Sequence, residues 1–166
     1  MANYYDSGPL TSSAAFRRSR SIESDDEISI QGPIEVVGSI KSGSSIGLEG
    51  DVIVKGKMDA YGGIGMNGSV SCDGRIKAYG NIVVSGYLVA RDKIKGYGKL
   101  RVIGSLEGTD LEIYGNVSIT GYLKCRRLIV YGNLTLIGPE SGYYVEESEQ
   151  IAGATMMRET EPDWEW

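Results

Sequence analysis

Glycine recurs at Gly32, Gly50, Gly68, Gly86, Gly104, Gly121 and Gly138, spaced by 18 residues four times and then by 17 twice. A period of this length marks a repeat architecture, in which each unit buries its apolar face only against its neighbours. Aligned on that glycine, the residue four before it is always aliphatic: Ile28, Ile46, Ile64, Ile82, Leu100, Val117 and Leu134. So is the residue two before it, from Ile30 to Leu136, and the residue two after it, from Ile34 to Leu123. Apolar positions recurring every second residue are the period of a strand with one buried face, not of a helix. Glycine falls where the chain must turn with positive φ or let backbones approach closely.

Three such stretches per repeat predict an all-β fold: a parallel β-helix, a three-sided solenoid of about six coils of 17–18 residues. It covers 28–138, and like residues stack on like along a rod of roughly 30 Å. Handedness has two readings. Eighteen residues is also three hexapeptides, and Ile40, Met58, Ile76, Ile94, Leu111 and Leu128 form a further aliphatic column. A left-handed hexapeptide acyltransferase helix would show the same. The 17-residue coils break a period of six, and the inward positions are bulky, which favours the right-handed form.

Composition narrows the chemistry. The 166 residues include no histidine, so no Ser-His-Asp, Cys-His or His-bearing zinc site can be built. The two cysteines, Cys72 and Cys125, are too few for a disulfide framework or a four-Cys zinc site. Both fall on one inward column, three coils apart, and read as small buried hydrophobes. No apolar run approaches the length of a membrane span. Met1 to Leu10 reads as neither a secretory signal nor a membrane-targeting segment, so the expected compartment is the cytoplasm, with direct membrane binding weak or absent. Net charge is −5, unevenly placed: −2 over 1–27, +4 over 28–138 and −7 over 139–166. That balance does not favour nucleic acid as a partner.

The period, the coil number, the recurrent I-x-V-x-G-x-L pattern and the two short tails resemble the bactofilins, bacterial polymer-forming cytoskeletal proteins. The likeness covers Ile28 to about Gly138. It implies a right-handed β-helix that polymerises end to end, head to head and tail to tail, into nonpolar filaments without nucleotide. The expected function is a non-enzymatic scaffold that needs no cofactor and positions partners for cell shape, motility or subcellular organisation. A hexapeptide-type β-helix related to acyltransferases, or a monomeric adaptor, are the alternatives.

Candidate sites follow from that outline. The ends of a solenoid carry unpaired strand edges, which makes Ile28 and Ile30 at one end, and Leu134, Leu136 and Ile137 at the other, the expected polymer interface. Tyr61, Tyr79, Tyr97, Tyr114 and Tyr131 each precede a glycine and follow an inward position, so they form an exposed ladder along one corner. The Ser-rich tail 1–27, with Arg17, Arg18 and Arg20, and the acidic tail 139–166, with Trp164 and Trp166, read as disordered docking segments for envelope or motility proteins. A short helix is expected over 146–158. Gly63 to Gly68 matches G-x-G-x-x-G, but no helix pattern follows, so the match belongs to the repeat. Asn67, Asn116 and Asn133 head glycosylation-type triplets and read as turn asparagines. The basic clusters at Lys93 to Arg101 and Arg126–Arg127 read as solvated faces that discourage wrong edge pairing.

Overall fold

The computed structural model describes residues 17–160, and in them every regular element is a strand. The chain opens with β1 (Arg17–Ser19), β2 (Ile22–Ser24), β3 (Ile28–Gln31), β4 (Ile34–Val36) and β5 (Ile40–Ser42). The middle coils follow as β6 (Ile46–Val54), β7 (Met58–Ala60), β8 (Ile64–Cys72), β9 (Ile76–Ala78), β10 (Ile82–Ala90) and β11 (Ile94–Gly96). The last coils are β12 (Leu100–Glu107), β13 (Asp110–Ile113), β14 (Val117–Val130), β15 (Leu134–Ile137), β16 (Gly142–Ile151) and β17 (Thr155–Arg158).

All ladders are parallel and join each strand to the one a coil later: Ile46 pairs with Ile64, Ile64 with Ile82 and Ile82 with Leu100. The predicted columns are therefore stacks at the strand spacing of ~4.8 Å. The result is a β-solenoid of about eight turns. Three faces share one interior. The first face runs from β3 to β17, the second begins with β1 and the third with β2. The interior ladders are sealed, with Val84, Leu88, Val102, Ile119 and Leu123 at 1 % exposure or less. Burying each such side chain contributes about 1.5–3 kcal/mol.

The first two stretches of a coil are joined more tightly than their pattern predicts. β6, β8 and β10 each run nine residues through the glycine corner without a break. The corner glycines from Gly50 to Gly138 hold positive φ. At Gly68 (φ +130) a Cβ would sit 2.5 Å from the Gly50 carbonyl oxygen, so stacking excludes a side chain as firmly as φ does. The turn to 17-residue coils is equally local. It removes one residue between Glu107 and Asp110, and the Thr109 carbonyl there accepts from both Arg126 and Arg127 amides.

The expected boundaries at 27/28 and 138/139 are corrected. β1 and β2 complete a coil before Ile28, pairing with β4 and β5, because Ile22 continues the Ile40 column. β16 and β17 add one after Ile137, because Tyr143, Val145 and Ile151 continue the columns of Leu123, Cys125 and Val130. The helix expected over 146–158 is strand instead: the apolar residues there recur at strand, not helical, spacing. Pro139 to Ser141 and a bulge at Glu146–Glu147 interrupt the period, which hid this coil. Leu134, Leu136 and Ile137 therefore lie one coil inside the end, paired with Thr155, Met157 and Arg158.

Candidate functional site

Two features stand out from the regular rod: its ends and its tyrosine corner. At the N-terminal end, among the described residues, β1, β2 and β3 each pair on one side only. The columns close there in polar residues. Arg17 and Ser19 occupy the inward positions of Ile34 and Val36, and Ser24 that of Ser42. Arg17 donates to the Gln31 carbonyl, and Arg18 pairs with Glu35 at 3.0 Å. Buried Ser42 donates to the Asp26 carbonyl at 2.7 Å. These arginines belong to the first coil rather than to a docking tail, while Arg20 is exposed beside them. Ile28 and Ile30, on the first described strand of their face, are buried at 6 and 7 % exposure, slightly more open than the ladders inside.

At the C-terminal end β16 and β17 pair only with β14 and β15 among the described residues. The apolar cross-section shown here is Tyr143, Val145 and Ile151, all half-buried. Glu149 stands on the Leu128 column and accepts from the Tyr143 hydroxyl at 2.9 Å. Burial first, then that bond, pushes the Tyr143 phenol up. The C-terminal end exposes Glu146, Glu147 and Glu149, whereas the N-terminal end mixes Arg17, Arg18 and Arg20 with exposed Glu23, Asp25, Asp26 and Glu27.

The tyrosine ladder forms as its spacing predicts. Tyr79, Tyr97, Tyr114 and Tyr131 stack with centroids 5.0, 4.9 and 4.6 Å apart and planes within 22°. Tyr61 tilts at 57° on Tyr79. The ring faces are used against one another, so this strip offers ring edges and hydroxyls, not open platforms for a sugar ring. Lys77 and Lys95 lie over the Tyr79 and Tyr97 rings at 5.1 and 5.5 Å. The Tyr114 hydroxyl donates to Glu112 at 2.6 Å, which pushes the phenol up to about 12. Glu112 is held below the usual carboxylate range, by Lys93 first and then by Tyr114.

The remaining candidates are built into the rod. Arg126 and Arg127 pair with Asp110 and Glu147, and Asp73 bridges Lys55 and Arg91 at 3.7 and 3.2 Å. Asn116 and Asn133 each accept the backbone amide of the following coil, at 2.9 and 2.8 Å. Asn67 lies in β8, and the G-x-G-x-x-G stretch runs from Gly63, just before that strand, to its corner glycine Gly68. Cys72 and Cys125 are buried free thiols, pushed up to about 12 chiefly by burial. Among the described residues no three His, Cys, Asp or Glu side chains gather to hold a metal, and no helix is long and apolar enough to cross a membrane. Trp164 and Trp166 lie outside the described residues.

The chain has no significant match among protein-family models, curated proteins or solved structures.

Proposed function

We propose that this protein is a non-enzymatic, self-assembling scaffold of the cytoplasm, whose solenoids join end to end without nucleotide and position partner proteins. What carries the reading is the pair of open ends. Among the described residues the outermost strands at each end pair on one side only, over Arg17, Ser19 and Ile22 at one end and Tyr143, Val145 and Ile151 at the other, the situation that draws a second strand edge. The resemblance to bactofilins points the same way and suggests like ends meeting, head to head and tail to tail, through two-fold axes. Unlike ends can also meet, the parallel edge of one rod continuing that of the next, which is head-to-tail growth.

One experiment tests assembly and separates the two readings. Wild-type protein examined by electron microscopy and sedimentation should form filaments on the order of 3 nm wide. Ile30→Lys blocks the N-terminal end, and Ile151→Lys blocks the revised C-terminal end. Under like-end pairing each variant alone stops at a dimer. Under head-to-tail growth each alone is monomeric, and mixing the two gives a dimer. A wild-type protein that stays monomeric at every concentration, with intact β-type circular dichroism, overturns the scaffold altogether.

A further inference from the structure

Two sets of exposed tyrosines lie along the rod, and they differ in what stands beside each ring. Tyr79, Tyr97, Tyr114 and Tyr131 occupy successive coils, with centroids 5.0, 4.9 and 4.6 Å apart and planes within 22°. Tyr87 and Tyr122 follow the corner glycines Gly86 and Gly121. Tyr87 has Ser69 and Ser105 in register on its two sides, and Tyr122 has Ser105 and Gly142. Exposure does not separate the sets, since Tyr87 and Tyr122 keep 43 and 46 %, inside the 38–64 % range of the ladder. Nor does a hydroxyl partner: Tyr114 donates to Glu112 at 2.6 Å and Tyr87 to Glu107 at 3.1 Å. What the ladder adds is a second phenol held against the first. Its ring faces are occupied by one another, while the ring edges, with the carbons ortho to the hydroxyls, stay open to solvent.

We propose that the tyrosine ladder is an oxidative modification site, at which a haem peroxidase with hydrogen peroxide couples tyrosines of adjacent coils into dityrosine. Each of two neighbouring phenols gives one electron to the peroxidase and loses its hydroxyl proton, which at Tyr114 passes to the Glu112 carboxylate. The two phenoxyl radicals join through a bond between their ortho carbons. The hydrogens on those carbons then move to the oxygens and restore both rings. Two electrons and two protons have left the pair, and hydrogen peroxide takes them up to become two waters. Holding the rings together makes the coupling effectively unimolecular, which favours it over coupling between molecules in dilute protein. Exposed side chains reorient on the picosecond-to-nanosecond scale, so the rings can close from the stack to the bond. The thiols do not intercept the oxidation, because Cys72 and Cys125 are 0 and 1 % exposed. A link from Tyr79 to Tyr97 closes a step of 18 residues and one from Tyr97 to Tyr114 a step of 17, so each staples one coil to the next.

The test treats dilute full-length protein with a haem peroxidase and limiting hydrogen peroxide. The product should show the blue fluorescence of dityrosine within single chains, lose the mass of two hydrogens per link, and melt at a higher Tm than the untreated protein. Peptide mapping should place the links between neighbours of the ladder. Tyr79→Phe combined with Tyr114→Phe keeps the stacked rings but leaves Tyr61, Tyr97 and Tyr131 with no phenol beside them, and dityrosine within the chain should fall about tenfold or more. Tyr87→Phe combined with Tyr122→Phe removes as many phenols and should leave the yield near that of wild type. Tyr97→Phe alone should confine the links to Tyr61–Tyr79 and Tyr114–Tyr131. A wild-type protein that forms links only between chains, or none, overturns the proposal. So do links that map to Tyr87 or Tyr122, or a yield that the paired ladder substitutions leave unchanged.

Discussion

The corner between the first and second faces turns on stacked glycines, and the corner between the third and first turns on stacked tyrosines. At the glycine corner the backbones pass so closely that even one carbon is excluded: a Cβ on Gly68 meets the Gly50 carbonyl oxygen at 2.5 Å. At the tyrosine corner the chain carries its largest outward side chains, 38–64 % exposed, and the stacking is done by the rings. Both columns are periodic, but for different reasons. The glycines are fixed by what cannot fit, the tyrosines by what gains from a like neighbour. A steric exclusion fails all at once, whereas a ladder of exposed contacts loses one rung at a time.

The sharpest break of that contrast is Gly68→Val. A β-branched residue at φ +130, with its Cβ against the preceding coil, costs about 3 kcal/mol or more from strain and overlap together. Loss of the cooperative thermal transition or a much lower Tm is the expected outcome. Gly47→Ala is its control: a Cβ there meets nothing within 4 Å, and the Tm should hardly move. A Gly68→Val protein as stable as wild type would remove the steric account of the column.

Tyr97→Ala should cost less. It deletes two stacked contacts at 5.0 and 4.9 Å, each worth about 0.5–1 kcal/mol. The Tm should fall by a few degrees with the circular dichroism unchanged. Replacing a terminal rung, Tyr131→Ala, removes one contact and should cost about half as much.

The smallest effect is electrostatic and lies within one rung. Glu112 is held below its ordinary value, so its contribution is present above the unfolded carboxylate range and is lost as pH falls through the lowered value. Tyr114 is raised, so its contribution is present below about 10 and is lost as pH climbs toward about 12. Glu112→Gln removes both. The variant should show a shallower loss of Tm on the acid side, and one phenol should ionise earlier in an ultraviolet titration. Superposable titrations of the two proteins would mean that Tyr114 and Glu112 do not interact in solution.

The same contrast explains what could be read from the residues. Interior columns were legible because every coil repeats the same restriction: glycine where nothing fits, aliphatic where water is excluded, tyrosine where rings meet. The end coils were not, because they are half free of those restrictions. Arg17, Ser19 and Glu149 occupy inward columns that would demand an aliphatic residue one coil further in, and the chain breaks step at Pro139 and at the Glu146–Glu147 bulge. The candidate interface was accordingly placed one coil too early at the C-terminal end, at Leu134 to Ile137.

The missing residue between Glu107 and Asp110 shows what kind of change this rod tolerates. The cut falls at one corner, and the ladders on both sides of it keep their partners: Leu88 with Leu106, Ile94 with Leu111. An edit that would scramble a globular core is here absorbed within two residues, since each coil answers only to the coils above and below. The same independence applies to whole coils. Duplicating or excising one from the middle would change the reach of the molecule in steps of ~4.8 Å and leave both ends as they were. Its length is thus open to revision by simple gene events, independently of whatever its ends recognise.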